Sequence, residues 1–434
     1  MTDRFRRWLT WLRMMLAALI LIALAGSLAL HLYGQRRFRL AKERFEAVTG
    51  PIELFVPARP VLSPDQNAAT WLVAGSEALV WSGEERYLIG ELTLKPFAAW
   101  SAAERETLRA VLNRNRATFE ILRRAVPLAA ADFGITYEEG VRAKLPPLLK
   151  LLNAARLLLL EARVALANGD PAAALAGLSI VSRLAPALEQ ERATIVLLVG
   201  ISSERILLTV AAEATAAPAS WAAEPAFLDA LAATLPGTDL VALARQSMLD
   251  NGRAMLSTAG GSLPWGPQSA PERTGWRDKV GRYLFGGLRD AESLAVSLEL
   301  AEKTSTPWGE EPGLFAPLPK SSWLWRLSSQ MEASPKGLRA VAGRAQLALA
   351  QRQLVSTAIA LRRQAATTGS YPSDRPNLPA LGRPDPFTGK RLLYRPAADG
   401  TLQIALDCPP GLIEKLLPAA TVVAITLPAP IAAP

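Results

Sequence analysis

The run from Met14 to Tyr33 contains 20 residues and no formal charge. Coiled as a helix it rises about 30 Å, the thickness of a bilayer's hydrocarbon core. Trp8, Trp11 and Tyr33 stand at its two ends, where amphipathic rings favour the membrane interface. The sequence therefore predicts a membrane anchor at the N-terminus. Ala23-Leu24-Ala25 offers a second reading, the small residues of a signal-peptide cleavage site. The apolar run continues past that cut through Leu28, Leu30 and Leu32, which favours a retained anchor. Basic residues flank both ends, so charge gives no clean orientation. A short arginine-rich tail before a long downstream domain favours an N-terminus in the cytoplasm and the bulk beyond the membrane.

The net charge of +9 would suggest nucleic acid were it spread over the chain. It is not. Arg4, Arg6, Arg7, Arg13, Arg36, Arg37, Arg39, Lys42 and Arg44 face only Asp3, Glu43 and Glu46 within residues 1–49. Most of the excess thus flanks the anchor, where it meets anionic headgroups. No basic stripe interleaved with aromatics appears, so nucleic acid is not an expected partner. Abundant alanine and a preference for arginine over lysine match chains from GC-rich bacterial genomes, and the expected location is a bacterial inner membrane.

The chain has one cysteine, Cys408, and one histidine, His31, which lies inside the apolar run. An intrachain disulfide, a Ser-His-Asp or Cys-His arrangement and a histidine zinc site are excluded by count. Neither a nucleophile elbow nor a phosphate-binding glycine loop occurs. No catalytic residue, metal ligand or cofactor is expected. A carboxylate pair of the glycosidase kind leaves no fingerprint and stays open. As the only thiol, Cys408 is a natural topology probe.

The fold class is mainly α, in three parts. Residues 1–49 form a cytoplasmic tail, the transmembrane anchor and a basic stalk. Residues 50–330 form an α-helical domain of helical hairpins with Gly/Pro/Trp-rich loops. Residues 331–434 form a small α+β module, a long helix plus a β-hairpin or meander with a Pro/Ala tail. An extended stretch with Pro51, Pro57 and Pro60 follows the stalk. Ser63-Pro64-Asp65-Gln66 reads as a helix start, with serine as N-cap and glutamine at N3. It opens onto Asn67-Ala68-Ala69, read as a close-packing site. Ser101 with Glu104 forms a capping box before a helix whose Leu108, Val111, Leu112, Phe119 and Leu122 share a face. A leucine-rich helix from Leu145 to Asn168 stops at Gly169, and Asp170-Pro171 caps the next, which runs to Pro186. Helices near Glu191–Ala214, Ala226–Leu235 and Asp239–Ser257 follow, with Ile195–Ile201 as central core. Residues 258–322 read as aromatic-bearing loops around an amphipathic helix near Tyr283–Lys303.

A long helix from Ser334-Pro335 to about Thr368 carries Leu347, Leu354, Ala358, Leu361 and Ala365 on one stripe. Arg352 and Arg363 fall on the opposite side, and Gly369 ends the helix. Tyr371-Pro372 and Asp385-Pro386-Phe387-Thr388-Gly389 precede a strand at Leu392–Arg395, in which Asp385 and Phe387 set the turn. Asp399-Gly400 turns into a second strand with Leu402, Ile404 and Leu406 on one face, and Val422–Leu427 adds a third.

Gly369, Tyr371, Pro372, Asp385, Pro386, Phe387, Gly389 and Tyr394 together resemble the globular part of the type II secretion major pseudopilins. The likeness covers about a sixth of the chain. The whole arrangement is also similar to a group of uncharacterised membrane-anchored bacterial proteins. The resemblance implies a long helix packed on a small sheet, and a secretion- or pilus-related setting. Two departures matter. The N-terminus lacks the prepilin cleavage signature, and the place of the calcium loop holds Asp407-Cys408-Pro409-Pro410-Gly411. Calcium is not expected.

The functional expectation is a non-enzymatic, membrane-anchored envelope protein that works by protein–protein contact. An accessory of a pilus- or secretion-like machine and a carboxylate-dependent hydrolase of envelope polymer are its rivals. The candidate partner-binding residues are Arg352, Arg363 and Arg391. They belong to a stretch, 339–400, in which ten Lys/Arg face Asp374, Asp385 and Asp399. The terminal module, with its own helix and hairpin, is expected to fold alone.

Overall fold

The computed structural model describes residues 3–49, 62–137, 143–191, 193–257, 291, 294–302, 304, 333–373, 384–408 and 422–430. The protein is mainly helical, with one three-stranded antiparallel sheet near the C-terminus. Residues 50–61, 258–290 and 305–332, on which the expected proline stretch, most of the expected aromatic-bearing loops and the start of the helix expected near Tyr283 fall, lie outside the described residues.

Helix α1 (Asp3–Thr49) is a single unbroken helix of 47 residues. At 1.5 Å per residue it is about 70 Å long, more than twice a bilayer core. None of its most apolar window is buried in the protein, so Trp11, Leu16, Leu19 and Ile22 face outward. The expected stalk is therefore a rigid continuation of the anchor. Past Tyr33 one side of that continuation turns inward at helical spacing. Gly34 and Phe45 are buried, and Phe38 and Ala41 pack against the core between them. The Phe45 ring lies on Gly252 of α10 (Leu240–Ser257), where a Cβ would come within 2.5 Å of it. Arg253 then donates to the Thr49 carbonyl at 3.0 Å. Arg36, Arg37, Arg39, Lys42 and Arg44 occupy the other sides and stay exposed.

Helices α2 (Ala68–Glu77) and α3 (Gly83–Leu94) lie against α6 (Leu148–Ala167), with α4 (Ala102–Arg114) packed on α3 and α5 (Arg116–Arg123) packed on α2. The N-cap of α2 is Asn67 and not Ser63, which sits in a preceding turn with Gln66. Asn67 wins because it serves two segments. Its oxygen accepts from Ala69 and Asp132 backbone N–H groups, and its amide donates to the Asp132 carbonyl at 2.7 Å. Asn67 is thus a clamp on the 130–132 loop, beyond the packing site expected for it. Ser101 forms the expected capping box, and Ser82 forms another at α3. Asn115 divides the expected single helix into α4 and α5. Its buried side chain bonds Val80 in both directions, while the shared apolar face stays intact.

Gly169, at φ +75°, turns α6 into α7 (Pro171–Glu189), with Asp170 accepting from the Ala173 N–H. Contrary to expectation α7 does not stop at Pro186 but runs one turn further. Helix α8 (Thr194–Ala216) packs on α6, α7, α10 and α12 and is the centre of the bundle. Ile195 nevertheless remains exposed at its first turn. Both α7 and α8 are long and apolar enough to cross a bilayer, yet 50% and 61% of their apolar windows are buried in the protein. At least half of each window is thus covered by protein, whereas none of the α1 window is.

Helix α9 (Pro225–Ala233) and a helical stretch at 294–302, α11, precede α12 (Ala333–Thr368). The expected apolar stripe of α12 is buried. A second stripe, Val341, Ala345, Ala348, Val355 and Ile359, is buried as well. The helix is enclosed by α8, α9 and α10 on one side and the sheet on another, so it has no fully solvated face. Gly369, at φ +76°, ends it.

Strands β1 (Leu393–Pro396), β2 (Leu402–Ala405) and β3 (Ala424–Leu427) form an antiparallel meander. The pairs Leu402–Leu427 and Ile404–Ile425 are buried against the helices. The residues that carried the pseudopilin resemblance have internal duties. Asp385 accepts from the Phe387 and Thr388 N–H groups at 2.9 and 2.7 Å, and from the Thr388 hydroxyl. Tyr371 donates to the Pro428 carbonyl and Tyr394 to the Pro372 carbonyl. These bonds tie the helix exit to the sheet. Buried residues from Phe45 to Leu427 make one contiguous core, which the sequence division at 330/331 does not interrupt.

Candidate functional site

Arg352 is not on a surface. Its Nε and Nη2 donate to the two oxygens of Glu204, each at 2.8 Å, and its Nη1 donates to the Thr238 carbonyl at 2.6 Å. The Glu204 side chain is wholly buried and that of Arg352 is 13% exposed. The expectation of a docking role for Arg352 is therefore corrected, because its donors are spent inside the fold. Position 352 follows Val341, Ala345 and Ala348 at i+3/i+4 spacing, so it joins the second, buried stripe of α12.

A second carboxylate completes this junction. Glu189, at the last turn of α7, is 1% exposed and accepts from the Thr238 hydroxyl. Gly200 on α8 makes the approach possible. A Cβ there would meet Glu189 Cγ at 2.8 Å, the Glu189 nitrogen at 2.9 Å and the Ala185 carbonyl at 3.0 Å. Burial, and then the Glu189 carboxylate, hold the Glu204 pKa well above the ordinary carboxyl range against the pull of Arg352. Sequence reasoning missed Glu189, Glu204 and Thr238. The readable signal was Glu204 itself, which interrupts the apolar series Leu197, Ile201, Leu208, Ala211 at a core position.

Arg363 and Arg391 are exposed. Arg363 pairs with Asp229 of α9 at 2.8 Å, with both side chains more than half exposed, and the pair borders a shallow depression. Ala232, Ser356, Ile359 and Thr367 line that depression between α9 and α12. The three candidate arginines thus do not form one face. Of the other basic residues in that stretch, Arg362 is buried and donates to the Ala217 carbonyl, and Lys390 pairs with Asp407.

Two further polar features are internal. Arg163 on α6 grips Glu213 of α8 through two bonds of 2.7 Å, and reaches the Leu92 and Thr93 carbonyls at the end of α3. Cys408 is half-buried, and burial followed by Asp385 and Asp407 pushes its thiol up to about 12. A thiol held protonated at neutral pH reacts slowly, so Cys408 is a poorer topology probe than the sequence suggests. Among the described residues, no group of three or more His, Cys, Asp or Glu side chains is placed to hold a metal ion.

Fold and sites define a mainly helical body with an N-terminal helix able to span a membrane. Comparison with family models, curated proteins and solved structures gives no match to this chain.

Proposed function

We propose that this chain is a single-pass envelope protein whose N-terminus lies in the cytoplasm and whose helical body, beyond the inner membrane, acts by binding other proteins. The carrying observation is α1, exposed and apolar through one half and locked to α10 through the other. Such a helix fixes the height and orientation of the body above the bilayer, as suits a presented binding surface and serves no evident chemistry. The Glu189–Glu204 pair is enclosed in the protein, with both Glu204 oxygens bonded to Arg352 and one Glu189 oxygen to Thr238, which speaks against a role in attacking a sugar polymer. The terminal module supports a second reading, an accessory role in a pilus- or secretion-like machine, through the motif residues that join its helix to its meander.

The test has two arms. With Cys408 replaced by alanine, Ala398→Cys places an exposed thiol beside the Asp399–Gly400 turn. A thiol reagent that cannot cross the inner membrane is expected to label it in intact spheroplasts. Labelling only after lysis would reverse the orientation. Crosslinking from native membranes is then compared between the wild type and Arg363→Glu/Arg391→Glu. Loss of specific partners supports the binding reading, and an identical partner set removes these two arginines from it.

A further inference from the structure

We infer that Glu189 and Glu204 form a proton-binding site, holding one proton between their carboxyl groups and so fastening α12 to the α7–α8 hairpin. Charge is the first reason. Two buried carboxylates meet a single guanidinium, and with both ionised the junction would enclose an uncompensated negative charge, which a low-dielectric interior strongly disfavours. One proton makes the junction neutral.

Hydrogen bonding is the second and independent reason. Glu189 Oε2 accepts from Thr238, but its buried Oε1 has no hydrogen-bond partner, and Arg352, which grips Glu204, bonds the same Thr238 and so gathers both carboxyls at one junction. Two ionised carboxylates offer only acceptors to each other. A shared proton turns them into a donor and an acceptor and satisfies the orphaned oxygen.

The charges on the surrounding elements leave this count unchanged. Glu189 from α7 and Arg352 from α12 act on Glu204. Arg163 from α6 is committed to Glu213, Asp250 and Arg253 on α10 pair with each other, and Asp229 on α9 pairs with Arg363. Arg205, the next residue along α8, is buried and faces the charge of Arg344.

The pair bears on stability with a defined sign. Between the ordinary carboxyl pKa of about 4.3 and the raised folded value, the folded chain keeps a proton that the unfolded chain has released. Stability from this site is therefore fully present in acid and declines as pH rises across that window. Glu189→Gln tests it in the full-length protein in detergent. The glutamine amide can donate where the shared proton sat, and its oxygen can still accept from Thr238. The variant is expected to fold, to lose the infrared carbonyl band of one protonated carboxyl at neutral pH, and to release one proton fewer on unfolding. Its denaturation midpoint should also fall less than the wild type's as pH rises from 5 to 9. An unchanged carbonyl band or an unchanged pH slope would overturn the site. So would failure of Glu189→Gln to fold, because an amide reproduces the proposed hydrogen bond.

Discussion

Arg352→Met is expected to destabilise the folded body by about 3–5 kcal/mol, the usual cost of removing one partner from a buried ion pair. Methionine fills much of the arginine's volume, so the loss reports charge and hydrogen bonding more than packing. The substitution removes both bonds to Glu204 and the bond to the Thr238 carbonyl. It leaves two buried carboxyl groups facing each other with no cation. Two companion measurements identify the cause. Adding Glu204→Gln should recover a large part of the loss, because it removes the stranded charge. Raising the pH should deepen the single variant's defect, because each proton released leaves another enclosed charge. Reversing Arg363, by contrast, should change stability by no more than about 1 kcal/mol, as for exposed ion pairs generally. Denaturant titration of the four proteins decides the matter, and an Arg352→Met midpoint equal to wild type would contradict the geometry.

Residues 331–434 expressed alone are expected to show no cooperative thermal transition. This reverses the expectation drawn from the sequence, where a proline-rich entry and a local hairpin read as a separable domain. The reason is the second stripe of α12. Val341, Ala345, Ala348, Val355 and Ile359 are covered by other helices of the body, and isolation would expose them together. Three polar side chains lose partners at the same time: Arg352 its Glu204, Arg362 the Ala217 carbonyl, and Gln346 the Thr304 carbonyl. Three short strands and one helix cannot offset that exposure, since small units are marginal even when they bury all their apolar faces. Retained helical circular dichroism without a sigmoidal melt is the expected signature. A sharp melt with native-like near-ultraviolet signal would show that the module carries its own core.

Much of the architecture was legible because local signals there agree with the tertiary fold. The capping box at Ser101, the Gly169-Asp170-Pro171 turn, the Gly369 stop and the Asp399-Gly400 turn act within a few residues of chain. Alternation in Leu402, Ile404 and Leu406 likewise reports the buried face of a strand directly. The misreadings share one cause, which is contact between residues distant in sequence. Asn67 displaces Ser63 as a cap because of Asp132. Arg352 looked solvent-facing because arginine usually is, and its partner lies 148 residues earlier. The stalk read only as basic because nothing near Phe45 announces Gly252. The Glu189–Glu204 pair is the sharpest case. Glu189 ends one apolar helix and Glu204 lies midway along the next, and only the fold brings them together.

We propose that α1 alone belongs to the membrane, while α7 and α8, also long and apolar enough to cross it, belong to the body. Deleting residues 1–33 separates the two directly, because it removes the anchor and keeps Gly34–Thr49 to dock on α10. The truncated chain is expected to stay in the supernatant after high-speed centrifugation without detergent, and to unfold in one cooperative transition. If it sediments with membranes and resists alkaline carbonate extraction, a further helix is embedded in the bilayer and the single-pass account is wrong.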